Sequence, residues 1–72
     1  MPTSDVITLW VNGDRHQCPT PITLPDFLTA QGFNVRLIAV EYNGDILHRQ
    51  FWPQTYLKEG DRLEVVTIVG GG

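Results

Sequence analysis

Few residues in this chain are of types that do chemistry, and they do not gather along the sequence. His16 and His48 have no companions at ligand spacing, so a metal role is not expected of them. The one cysteine, Cys18, has no CxxC partner and no nearby motif that would lower its pKa; it reads as a small packed side chain. Ser4 is the only serine and stands near the N-terminus, which leaves a serine-nucleophile triad without a start. What remains is the end of the chain, where Leu63-Glu64-Val65-Val66-Thr67-Ile68-Val69 runs into Gly70-Gly71-Gly72. Glycine is costly to hold in one conformation, so three at a terminus read first as a loose end. The alternative is that the carboxylate of Gly72 is itself the reactive group, carried on a slim stalk into another protein's active site. Three extended glycines would add about 10 Å of reach.

The rest of the chain must supply the platform for such a stalk. Seventy-two residues make one small domain with one core. A hydrophobic share of 42% is ordinary for a folded protein and too high for a disordered one. The net charge of −3 argues against nucleic acid, whose phosphates ask for a basic stripe. No apolar run approaches the ~20 residues of a membrane span, and the first residues lack the basic start of a signal peptide. A cytoplasmic protein, monomeric when free, is the expectation.

Alternation places Ile7, Leu9 and Val11 on one face of a first strand and Thr8 and Trp10 on the other. Asn12-Gly13 then signals a type I′ hairpin, since both central positions need positive φ. The polar return strand, Asp14 to about Pro19, belongs at a sheet edge. Thr23 is placed to cap a short helix, with Pro25 and Asp26 in its first turn, Leu24, Phe27 and Leu28 as its apolar stripe, and Gly32 ending it. A strand over residues 37–42 leads to a second hairpin signal, Asn43-Gly44, and a return at Ile46-Leu47-His48. Residues 49–58 read as irregular, with Pro53 breaking them and Phe51, Trp52, Tyr56 and Leu57 adding apolar bulk. Glu59-Gly60-Asp61 is a tight turn before the final strand. That strand is apolar on both parities: Leu63 and Val65 on one face, Val66 and Ile68 on the other. With a single helix available to cover one sheet face, the second face of this strand is expected to await a partner.

The block Val40-Glu41-Tyr42-Asn43-Gly44, Ile46 to Arg49, Trp52, Leu57 to Val66 and Val69 to Gly72 resembles the sulfur carrier proteins of thiamine biosynthesis. The resemblance extends over essentially the whole chain, including the Val11-Asn12-Gly13 hairpin and the helix begun at Thr23. It implies an α+β, ubiquitin-like β-grasp fold: a mixed sheet of four to five strands on one short helix, in a single domain over 1–72 with a flexible tail over 69–72. It also implies that Gly72 is the modified residue. In this family the terminal carboxylate is adenylated with ATP by an E1-like adenylyltransferase. Sulfur from a cysteine desulfurase relay then replaces AMP, and thiazole synthase draws on the resulting thiocarboxylate. The chain would bind no cofactor of its own, because the ATP belongs to the activating enzyme. Two departures stand out: His48 replaces the more usual proline ahead of the arginine, and the segment before Val6 is longer than usual.

Partner contacts are expected along the stalk and the strand before it, at Gly71, Gly70, Val69, Ile68 and Val66. Trp52, or Trp10, would add an aromatic anchor, and Arg49 or Arg62 could pair with an acidic group. Three other readings remain open at this level: the small subunit of molybdopterin synthase, which shares fold and Gly-Gly end; a ubiquitin-like protein modifier; and a non-reactive binding module.

Overall fold

The computed structural model describes residues 5–68. Strand β1, Val6–Val11, and strand β2, Asp14–Pro19, form an antiparallel hairpin in full register from Val6↔Pro19 to Val11↔Asp14. The turn between them is the expected one: Asn12 and Gly13 take φ of 53° and 87°. Helix α1, Leu24–Ala30, follows, and then β3, Ile38–Tyr42, β4, Asp45–Ile46, and β5, Arg62–Thr67. The sheet order is β2-β1-β5-β3-β4. β5 lies parallel to β1 and antiparallel to β3, so the last strand in sequence is the central one in space.

The helix has only seven residues, too few to stand alone, and both ends are closed. The Thr23 hydroxyl accepts from the Asp26 N–H at 3.3 Å, and Pro25 lies in the first turn, where its missing N–H costs nothing. At the other end the N–H of Gly32 reaches the Thr29 carbonyl and that of Phe33 the Leu28 carbonyl, each at 3.0 Å, which is a Schellman closure around a glycine at φ 90°. The stripe Leu24, Phe27 and Leu28 is fully buried on the sheet face made by Leu9, Val11, Ile38, Val40, Leu63 and Val65. Burying a side chain of this size contributes about 1.5–3 kcal/mol, and these residues are what hold so short a helix in place.

Residues 49–58 depart from the irregular segment expected of them. Arg49–Gln54 winds into a 3₁₀ helix with Pro53 inside it. Trp52 and Leu57 close the core from this side, and Leu57 N–H bonds the Ile22 carbonyl at 3.0 Å. A segment with no clear periodicity thus becomes the lid of the core, because two large apolar side chains drop inward from it.

Candidate functional site

β5 leads directly to the glycine end, and its neighbours decide which way it faces. Alternation sends Leu63 and Val65 into the core, while Val66 and Ile68 stay 58% and 48% exposed on the opposite face. The strand is therefore central by pairing and yet covered on one side only. On the open side, register sets Val66 beside Ala39 and places Glu64 and Ile46 on either side of Glu41. These residues enclose a groove of about 180 Å³ lined by Ala39, Val40, Glu41, Ile46, Glu64 and Val66. Trp10, Gly13, Arg62 and Glu64 line a second recess toward the first hairpin, of about 260 Å³.

Both Asn-Gly hairpins fasten β5. Asn12 stands where β1 ends, and its carboxamide continues the ladder in place of backbone: Oδ1 accepts from the Val65 N–H at 2.7 Å and Nδ2 donates to the Val65 carbonyl at 3.2 Å. Asn43 does the same from the β3 side. Its N–H donates to the Arg62 carbonyl at 2.8 Å, and its Oδ1 accepts from the Arg62 N–H at 2.8 Å. The remaining donor of Asn43, Nδ2, reaches Asp61 Oδ1 at 3.1 Å. The last described contact of the strand is Ile68 N–H to the Leu37 carbonyl at 2.7 Å.

Asp61 is the one buried charged residue among the described residues. Its carboxylate accepts from the Tyr42 hydroxyl at 2.6 Å, from the Lys58 N–H at 2.8 Å and from Asn43. Lys58 Nζ stands 3.6 Å from Asp61 Oδ1 and donates to the Tyr42 hydroxyl at 3.0 Å. Burial alone would raise the Asp61 pKa; the hydrogen bonds from Tyr42, Lys58 and Asn43, with the Lys58 charge, outweigh it and hold the carboxyl below its ordinary value. Tyr42 is pushed up, first by burial and then by its bond to Asp61. Both carboxylate oxygens of Asp61 are engaged within the chain. The network shapes the turn that starts β5.

The structure divides the residues proposed from sequence. Val66 and Ile68 share one exposed face with Trp10 at its edge, as expected. Trp52 is 4% exposed, in the core, and its Nε1 donates to the Leu47 carbonyl at 2.9 Å; only its edge borders a recess shared with Arg49 and Ile68. Trp52 cannot anchor a partner without leaving the core. Arg49 is likewise engaged within the chain. Its guanidinium donates to the carbonyls of Val35 at 2.5 Å and Ile38 at 2.9 Å, and it stacks on the Trp52 ring at 4.5 Å. Arg49 staples the 3₁₀ helix to Val35 and to Ile38 at the start of β3, while staying exposed and lining a recess that Ile68 also borders. Val69, Gly70, Gly71 and Gly72, including the expected flexible tail, lie outside the described residues. Ala39, Glu41, Ile46 and Glu64 were not singled out from sequence, because only the pairing register brings them beside Val66.

Cys18 is buried, and burial raises its thiol pKa, so it is held in the less nucleophilic form. His16 meets the edge of Phe27 at a ring separation of 6.4 Å. Among the described residues no group of three His, Cys, Asp or Glu is placed to hold a metal, and no helix is long and apolar enough to cross a membrane.

Known proteins share this architecture and sequence. The thiamine biosynthesis protein ThiS of Geobacter metallireducens, solved by crystallography, superposes with a TM-score of 0.78 at 29% identity, over 92% of this chain and all of that one. Its solution structure superposes at 0.72. The two-layer mixed sheet on one helix is thereby the ubiquitin-like β-grasp expected from the sequence. In sequence, the uncharacterized protein ycf40 of Pyropia yezoensis is 42% identical over 66 residues, covering 92% of this chain and 93% of that protein. A thiazole synthase of Paramagnetospirillum magneticum is 33% identical over 64 residues, which are 89% of this chain and 20% of that protein. The ThiS family model matches residues 9–72, nearly the whole length, and the chain belongs to the ThiS family.

Proposed function

We propose that this chain is a sulfur carrier of thiamine biosynthesis, with the carboxylate of Gly72 as the site of chemistry. A carboxylate is a poor electrophile. In the proposed reaction an E1-like adenylyltransferase directs one of its oxygens onto the α-phosphate of ATP, and pyrophosphate leaves. The terminal sulfur of a persulfide from a cysteine desulfurase relay then displaces AMP, which carries the oxygen away, and a thiol reduces the resulting acyl disulfide to release the thiocarboxylate and leave the relay sulfur in a disulfide. The resulting thiocarboxylate is polarizable and nucleophilic at neutral pH, and its attachment to a protein keeps the sulfur from escaping as sulfide. Thiazole synthase is the proposed consumer. The chain itself is a co-substrate and not an enzyme, ATP stays with the activating enzyme, and the free protein is a cytoplasmic monomer.

The observation that carries this reading is the state of β5. It is pinned from both sides by Asn12 and Asn43, its outer residues Val66 and Ile68 are uncovered, and it runs into Val69 and three glycines. Such a strand gives a docking face contiguous with a chain end slim enough to enter a narrow site. Partner contacts are accordingly proposed at Val66, Ile68, Val69, Gly70 and Gly71, without Trp52 or Arg49. Membership in the ThiS family supports the sulfur chemistry. The similarity to a segment of thiazole synthases supports thiazole formation over molybdopterin synthesis.

Intact mass spectrometry after incubation with an E1-like adenylyltransferase, ATP, cysteine, a cysteine desulfurase and a thiol reductant tests the reading. The expected product is heavier by the difference between sulfur and oxygen. Adducts of protein size would instead mark a protein modifier, and an unchanged mass with enzymes active on another carrier would sink the carrier reading.

A further inference from the structure

The groove beside β5 combines two features that normally exclude each other. Its walls are apolar: Ala39, Ile46 and Val66, with Ile46 among the most exposed large side chains of the chain. On the same wall, Glu41 of β3 and Glu64 of β5 are directly opposite cross-strand partners. Like charges in that position destabilise a sheet. The only ion pair among the described residues is Lys58–Asp61; Arg62 lines a recess with Glu64, but no cation stands within ion-pair distance of either glutamate. Within the free domain the arrangement is unfavourable twice, by repulsion and by exposed apolar area.

One kind of occupant relieves both. A lysine or arginine places an aliphatic stem along apolar surface and a cationic head at its end, and a head between two carboxylates gains charge-assisted hydrogen bonds. We infer that the Ala39–Ile46–Val66 groove receives a basic side chain from the docked partner, its stem along the apolar wall and its head between Glu41 and Glu64. The partner is a thiazole synthase, which rests on the function proposed above and on the similarity of this chain to a segment of such enzymes. The pair of glutamates thus serves binding at the expense of the free domain's stability, a trade familiar from functional surfaces.

This assignment has a signature that a structural role for the glutamates would not give: affinity and stability move in opposite directions. Binding of the full-length chain to thiazole synthase from the same organism would be measured by calorimetry at two salt concentrations, beside thermal melts of each free variant. Glu41→Gln with Glu64→Gln is expected to raise the melting temperature, weaken binding about tenfold and flatten its salt dependence, as loss of a close cross-interface charge pair does. Glu41→Lys with Glu64→Lys is expected to weaken binding further. Val66→Asp reports separately whether this face is used at all. If Val66→Asp abolishes binding while the double glutamine variant binds as the wild type does, the face docks without a cation and the inference is overturned. Glutamine variants that lose both stability and affinity would overturn it as well. The sulfur-for-oxygen mass shift of the wild type, run in parallel, keeps a failure of the carrier reading distinct from a failure of this one.

Discussion

At the scale of single residues, two side-chain types do most to shape β5: asparagine and aspartate. Asn12 holds a positive φ and supplies two rungs to Val65. Alanine there forfeits both hydrogen bonds and strains the turn, and should cost about 2 kcal/mol in denaturant unfolding. Asn12→Gly keeps the turn and loses only the rungs, so it should fall between alanine and wild type. Asp61 gives a pH prediction. Its folded pKa lies below the ordinary carboxylate value of 3.8, so the unfolded chain takes up the proton first as pH falls. The stability it confers is fully present above that value and drains away as pH drops through it toward the folded pKa. The melting temperature should therefore decline below about pH 4, and Asp61→Asn should both lower it at neutral pH and flatten that decline. Neither role was legible in the sequence, where Asp61 was one member of a Glu-Gly-Asp turn. A turn motif tells where the chain reverses, not which half-buried hydroxyl it reverses onto.

At the scale of elements, the signals that carried were local ones. Asn-Gly at positive φ, Thr23 as cap, Gly32 as terminator and the double parity of the last strand are each decided within a few residues, and each appears in the structure as expected. Thr23→Ala should cost about 1 kcal/mol, read as a shift in unfolding midpoint, because one hydroxyl caps so short a helix. The miss was the stretch around Trp52. Its aromatic content suggested a surface anchor, but the indole donates to the Leu47 carbonyl from the core, and Arg49 is held over the ring by the backbone carbonyls of Val35 and Ile38. The two carbonyls that hold Arg49 lie 14 and 11 residues back and follow no spacing rule. Arg49→Ala is expected to destabilise the fold with little change in partner affinity per folded molecule. Val66→Asp should do the reverse, leaving the unfolding midpoint within about 0.5 kcal/mol, as for surface positions generally, while weakening docking.

For the whole molecule, stability and the proposed chemistry occupy different parts of one chain. The buried apolar residues run from Leu9 to Val65, and the described residues outside that interval add little to the core. The proposed reactive group lies beyond them. Removing Gly72 should leave the melting temperature of the chain unchanged and abolish sulfur loading, whereas substitutions at Asn12 or Asp61 should lower stability and leave loading of the folded fraction intact. The fold was read largely from local signals and the function largely from family resemblance. The charge pattern of the proposed docking face came from neither, since it depends on which residue of β3 stands opposite which residue of β5.

The most direct measurement is fragmentation mass spectrometry of the chain after reaction with the adenylyltransferase, ATP and the sulfur relay. The expected result places a sulfur-for-oxygen exchange on the terminal fragment that ends in Gly72 and nowhere else. A whole sulfur added at Cys18, or protein-sized adducts through Gly72, would contradict the account.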